Sequence, residues 1–321
     1  MPFVQQVLDL PQPDCSMLKR SYRVSPLEYF SRRIIELMGL VQGYDCRLDV
    51  SAHPFCHGEL SDIRMTTRFT AEEGLEALYS TFHEAGHGLY VHNLPGMHVG
   101  MPVASPVSLG VHESQSRFWE VLIGKSRAFL AYFFDSLQNA FPESLSGESA
   151  ETLFRALNTA QATSIRINAD PVTYNLHIFL RFELEEALLS GEVEVGALPE
   201  EWNRRFKDLF GFTPESDAQG ALQDVHWAGG YIGYFPTYAI GNMLASQLYE
   251  AVRAAQPNLE SSIAAGKFVA IRSWLREKVH QHGSFHDAKT LIKKATGKPL
   301  DCEAFMRFLK DRCQDVYQSA L

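Results

Sequence analysis

The chain has 321 residues, of which 45% are hydrophobic, 21% charged and 12% aromatic, a balance that excludes a disordered tail, a fibre or a small disulfide-stapled module. Its 38 acidic residues outweigh 29 basic ones for a formal charge of −9, which speaks against a general affinity for nucleic acid or an anionic membrane. Five scattered cysteines without a C-x-x-C pair, a start over Met1–Leu18 unlike a signal peptide, and no apolar run of membrane-spanning length together suggest a soluble, cytoplasmic protein.

Periodicity predicts a succession of amphipathic helices and little else. The exception comes first, where Arg47–Val50 and Asp62–Phe69 read as short strands joined through Pro54 and Gly58. Thr70 followed by Glu73 forms a capping-box pattern, predicting a helix to about His92 that Pro95 and Gly96 end. After a stretch rich in Gly and Pro, Ser105-Pro106 predicts an N-cap and first turn for a helix to about Leu137. Asp170-Pro171 repeats this device before a helix over Val172–Ser190, which Gly191 terminates. Pro199–Phe210 carries Trp202, Phe206, Leu209 and Phe210 at helical spacing before Gly211, and further helices are expected from Phe235 to the C-terminus. No repeat or linker-like tract divides the chain, so one mainly α-helical domain with a small β element is the expectation.

The most informative stretch is Thr81-Phe82-His83-Glu84-Ala85-Gly86-His87. Residues four apart share a helix face, so His83 and His87 can direct ring nitrogens at one metal ion. Glu84 can reach a water there without itself ligating, which is the general base of an H-E-x-x-H site. Phe82, Ala85, Gly86 and Leu89 surround the pair with apolar or very small residues, where a solvated helix face would carry charge. Two glycines within a helix each cost up to about 1 kcal/mol against alanine and point to close packing. A catalytic zinc takes three protein ligands, and Glu113, 26 residues beyond His87, is the candidate third. His112 is its rival, although it points about 100° away around the helix; an ordinary ion pair between Glu113 and Arg117 is the plainer alternative.

Taken in order, the chain carries His53-Pro54-Phe55 with Gly58, Asp62-x-Arg64-x-Thr66, His83–His87, His112-Glu113-Ser114-Gln115, Ile165-Arg166 with Ala169-Asp170, Gly220 with Gln223-Asp224 and His226-Trp227, then Tyr234–Tyr238. From about Pro26 to Asp311 this resembles the carboxypeptidase Taq family of zinc metallocarboxypeptidases. The resemblance implies a helical, zincin-like metallopeptidase with a deep groove. It also implies Zn2+ held by His83, His87 and Glu113 with Glu84 as base, and release of single C-terminal residues from peptides. Co2+ suits the same neutral imidazole and carboxylate donors.

The resemblance also suggests His226 and Tyr234 as donors to the oxyanion that forms on the attacked carbonyl, with Tyr231 the competing phenol. Arg166 is suggested as the partner of the substrate's terminal carboxylate. Asp62 and Arg64 are expected to brace the β element, and His53 to be a turn residue. Members of the family carry a longer helical region ahead of His53, so residues 1–25 are set apart as a non-matching segment and 26–321 as an N-terminally shortened catalytic domain. Peptide substrates and a homodimer are the implied partners. An interaction protein that keeps the scaffold, or an endopeptidase with an opened groove, are the competing readings.

Overall fold

The computed structural model describes residues 2–318. Contacts group the chain into two units, each assembled from separated stretches. The larger comprises Asp14–Leu157 and Gly241–Phe308; the smaller comprises the residues up to Pro13, then Asn158–Ile240, then those from Leu309 onward. No linker announces this division because the boundaries after residues 240 and 308 fall inside helices, Pro236–Ala255 and Glu303–Tyr317. Helical structure continues to Tyr317, and residues 319–321 of the expected C-terminal helix, like Met1, lie outside the described residues.

In the larger unit the helix Val24–Met38 buries Leu27, Phe30, Ile34, Ile35 and Met38, the i, i+3, i+7, i+8 stripe of a core-facing helix. It packs against the helix Glu76–His92, which carries the H-E-x-x-H motif and is called the motif helix below. Phe82 of that helix meets Phe129 edge to face at 5.1 Å, and Phe129 in turn lies 4.9 Å from Phe133, extending the core into the helix Arg127–Ala140. The β element has three strands where two were expected: β1 (Cys46–Val50), β2 (Phe55–Glu59) and β3 (Asp62–Thr67). Their order is β1-β3-β2, with β3 central, parallel to β1 and antiparallel to β2. The stretch expected only to join two strands becomes β2 because Phe55 N–H donates to Thr66 Oγ1 and Gly58 sits at φ +139, where a Cβ would strike the Asp62 carbonyl oxygen at 2.0 Å. Ile63 and Met65 on β3 point inward, whereas Asp62 and Arg64 pair with each other at 2.9 Å on the exposed face.

Two helix starts differ from expectation for identifiable reasons. Glu73 is engaged by Arg68, whose Nε donates to it at 2.9 Å, and Gly74 adopts φ +61; the motif helix therefore begins at Glu76, beyond the Thr70 capping pattern. Ser108, rather than Ser105, caps the next helix by accepting from Val111 N–H at 3.2 Å, so α-helix covers Leu109–Arg117. It continues as a π-helical segment, Phe118–Gly124, before a fresh N-cap at Ser126 opens Arg127–Ala140.

In the smaller unit Asp170 closes the turn ahead of the next helix, whose own N-cap position is Thr173. Asp170 Oδ1 accepts from the backbone N–H of Val172 and Thr173, and regular helix runs over Tyr174–Leu189. Tyr174, Ile178, Phe235 and Ala239 form a buried cluster, joined by the half-buried Trp227 and Tyr238. The helix Leu198–Phe210 contributes Trp202, Phe206 and Phe210 and stops at Gly211 in the left-handed region, φ +83. The C-terminal stretch is stitched in by Tyr317, whose hydroxyl accepts from Ala160 N–H at 2.8 Å and donates to Gln12 Oε1 at 2.9 Å.

Within the larger unit, the motif helix and the helix Leu109–Arg117 approach each other backbone to backbone at Gly86. A Cβ there would stand 2.7 Å from both Gln115 O and Ser116 Cα. Gly86→Ala is expected to lose about 1–3 kcal/mol of stability, since the obstructing atoms are main chain and cannot swing aside. Denaturant unfolding checks this; an unchanged midpoint would show that the two helices do not depend on that contact.

Candidate active site

On the motif helix His83 and His87 lie one turn apart with ring centroids separated by 4.9 Å. The glycines between and beside them bring two other elements close: Gly86 admits the backbone of the helix Leu109–Arg117, and Gly88 faces Ile63 of β3, whose Cγ2 would stand 2.7 Å from an added Cβ. Glu113 is thereby presented to both rings, its Oε2 lying 3.7 Å from His83 Nε2 and 3.4 Å from His87 Nε2. A third glycine supports it from behind, since a Cβ on Gly241 would collide with Glu113 Cγ at 2.5 Å. One ligand atom from each of His83, His87 and Glu113 lies within 4.8 Å of the others. His83 and His87 keep 24% and 15% of their side chains exposed against 8% for Glu113, so the cluster is open on the histidine side.

The donor set and its surroundings suit a divalent ion. His83 uses Nδ1 for a 2.9 Å hydrogen bond to Glu120 Oε2, and His87 turns Nδ1 to His112 Nδ1, which leaves the two Nε2 atoms directed toward Glu113. This is the arrangement in which metal-binding imidazoles keep one lone pair for the ion while the other nitrogen is held by a neighbour. His112 belongs to this outer layer, and its pKa is brought down to about 3 by burial and by His87. Burial works to raise the pKa of Glu113, but His83, the hydrogen bond from His87 and the Arg117 charge hold it down to about 2, so the carboxylate is ionised at neutral pH. Glu84 is 7% exposed, and burial raises its pKa against the pull of His83 and His87, as suits a proton acceptor at neutral pH. Glu120, which the sequence reading passed over, had a readable signal: it is a solitary acid in the apolar run Phe118-Trp119-Glu120-Val121-Leu122-Ile123.

Arg166, His226 and Tyr234 belong to the smaller unit, where they surround an unanticipated buried ion cluster. Asp224 Oδ1 accepts from Arg166 Nη2 at 2.7 Å and Oδ2 accepts from Arg181 Nε at 2.6 Å, while Arg166 Nη1 donates to Tyr174 Oη at 2.8 Å. Arg166 is only 6% exposed, so its guanidinium is fastened inside the unit. His226 contacts the Tyr238 hydroxyl through Nε2 at 2.9 Å, and its ring lies 5.1 Å from that of Tyr234, which is half-buried; Tyr231 is exposed. Burial, then the nearby Arg166, keep the His226 pKa below its usual value. Tyr238 and Arg181 were therefore missed by the sequence reading. Arg181 had a signal in being a charge amid the apolar positions of Tyr174–Leu189, whereas Tyr238 had none beyond its place in an aromatic run.

Burial works to raise the Asp224 pKa, but the two arginines outweigh it and hold it at about 2. A carboxyl with a folded pKa below its unfolded value near 3.9 stabilises above that value and loses the contribution as pH falls through the folded pKa. The ion cluster is thus expected to lose on the order of 2 kcal/mol between about pH 4 and pH 2. Asp224→Asn, which leaves two buried guanidiniums without their anion, is expected to cost about 3–5 kcal/mol at neutral pH and to flatten that acid limb. Urea titrations of both proteins across this range check it, and parallel acid limbs would remove Asp224 as their cause.

A sequence model of the carboxypeptidase Taq (M32) metallopeptidase family matches residues 2–313, which includes most of the segment that the motif reading set apart. Thermostable carboxypeptidase 1 of Pyrococcus furiosus is 41% identical over 295 residues, covering 92% of this chain and 59% of that protein. Carboxypeptidase 1 of Bacillus subtilis is 37% identical over 322 residues, covering 99% of this chain and 64% of that one. The crystal structure of the M32 carboxypeptidase from Deinococcus radiodurans superposes with a TM-score of 0.95 at 40% identity, over 99% of this chain and 64% of that one. The chain thus spans about three fifths of the length of the curated relatives it matches. With its motifs, its helices and its His83, His87 and Glu113 cluster in common view, the chain belongs to the carboxypeptidase Taq (M32) family of metallopeptidases.

Proposed function

We propose that this chain is a metal-dependent carboxypeptidase that releases single residues from the C-termini of oligopeptides. The observation that carries the reading is the meeting of His83, His87 and Glu113 in one cluster, with the buried Glu84 adjacent in sequence to the first ligand. His83, His87 and Glu113 would hold Zn2+, with Co2+ as an alternative ion for the same donors. A divalent ion there supplies Lewis acidity and makes water acidic enough to be deprotonated near neutral pH. Glu84 takes the proton from the attacking water and returns it to the leaving amine. His226 and Tyr234 donate hydrogen bonds to the oxyanion, and Tyr238 orients His226 through the 2.9 Å bond to its Nε2.

Arg166 is proposed to attract the substrate's terminal carboxylate. Two guanidiniums, Arg166 and Arg181, share the single carboxylate of Asp224, which leaves the cluster one positive charge in excess. An anionic chain end complements that excess. The catalytic residues all fall within 26–321, the segment proposed as the catalytic part. Peptides are the proposed substrates, a homodimer the proposed assembly and the cytoplasm the proposed location. Among the described residues no helix is long and apolar enough to cross a membrane.

Paired peptides with free and amidated C-termini, incubated with Zn2+-loaded protein, test the reading. Stepwise trimming of the free-ended peptide alone is the expected result. Equal cleavage of both would favour the endopeptidase, and cleavage of neither the interaction protein. Glu84→Gln is expected to lower turnover at least about 100-fold with metal content preserved, because the amide keeps the shape of the carboxylate without its basicity. Unchanged turnover in that variant would assign the proton transfer to another group.

A further inference from the structure

We infer that Glu120, in the π-helical segment Phe118–Gly124, is the positioning residue for His83. The inference rests on the reading of His83, His87 and Glu113 as a metal site. Glu120 Oε2 accepts from His83 Nδ1 at 2.9 Å and from Arg117 Nη1 at 2.8 Å, and its Oε1 lies 3.6 Å from Lys125 Nζ. Arg117 is itself fixed, its Nε donating to Asn242 Oδ1 at 2.8 Å. A chain of directed contacts therefore runs from Asn242 through Arg117 and Glu120 to the ring of His83.

Phe118, Trp119, Val121, Leu122 and Ile123 are all buried, so Glu120 lies in an apolar stretch where an acid is costly to retain unless its partners need it. The local backbone is unusual as well: Lys125 N–H donates to the Glu120 carbonyl, a five-residue span in place of the four of an α-helix, and such π turns are frequent at functional sites.

The two histidine ligands consequently differ. His83 leans on an anion, whereas His87 leans on the neutral imidazole of His112. An anionic partner fixes the His83 ring, places its proton on Nδ1 and strengthens Nε2 as a donor to the ion. His83 is therefore the better electron donor of the pair, and the affinity of the site depends on Glu120 although that residue does not touch the metal.

Competition with a chromogenic chelator, using purified full-length protein and its Glu120→Gln and Glu120→Ala variants, measures this as a Zn2+ dissociation constant. Thermal unfolding of each metal-free protein monitors folding. Glu120→Ala is expected to weaken Zn2+ binding about 10- to 100-fold. Glu120→Gln, whose amide oxygen can still accept from Nδ1 without the charge, is expected to fall between that variant and the wild type. The visible absorption spectrum of the Co2+-loaded protein is expected to shift in both variants, which a merely structural role for Glu120 would not produce. If Glu120→Ala fails to fold, the Glu120→Gln comparison decides. Wild-type affinity and an unaltered Co2+ spectrum in a folded Glu120→Gln protein overturn the role of Glu120 while leaving the metal site standing. Absence of any Zn2+ uptake by the wild type overturns both.

Discussion

The approach of two helix backbones at Gly86 is the constraint from which the cluster of His83, His87 and Glu113 follows. Two histidines on one helix give only two ligands and no defined third position. The third comes from another helix, and Glu113 has a short side chain, so the two backbones must nearly touch for its carboxylate to reach both Nε2 atoms. Gly86 permits that contact against Gln115 and Ser116, and Gly241 gives the Glu113 side chain room on its far side. The loss of helix propensity at these glycines, about 1 kcal/mol each, is accepted where any side chain would push the ligands apart. Ligand geometry is in this sense decided by residues that have no side chain.

Each unit holds a buried cluster of charge of its own. In the larger, the buried carboxylates of Glu113 and Glu120 are kept ionised by His83 and Arg117, with Lys125 also beside Glu120. In the smaller, Arg166 and Arg181 share Asp224, an excess of cation that an anion relieves. Buried charge of either sign is expensive, and both clusters spread the cost over several hydrogen bonds, which is the condition for keeping them folded.

The sequence displayed the chemistry more readily than the geometry behind it. His83, Glu84 and His87 were legible because helical spacing fixes their relation, and Glu113 because only a few carboxylates lie near enough along the chain. The role of Glu120 stayed hidden because its partner His83 lies 37 residues away and meets it only in the folded unit. Asp224 and Arg166 were each visible within a motif, but neither their pairing nor the part of Arg181 was, as the two arginines lie 58 and 43 residues from Asp224 and meet it only in the folded unit. Helix boundaries shifted for a related reason: Glu73 had two uses available, and pairing with Arg68 prevailed over capping.

The hydroxyl of Tyr317 touches Ala160 and Gln12 at once, so it ties together the beginning, the middle and the end of the chain within one unit. During synthesis the residues that hold Arg166 and Asp224 emerge long before this tyrosine does. Their unit must wait, with its core incompletely covered, until Tyr317 has left the ribosome, whereas a domain made from one continuous stretch could close as it appears. Loss of the Tyr317 hydroxyl would then be felt far along the chain, in the segment that carries the paired arginines.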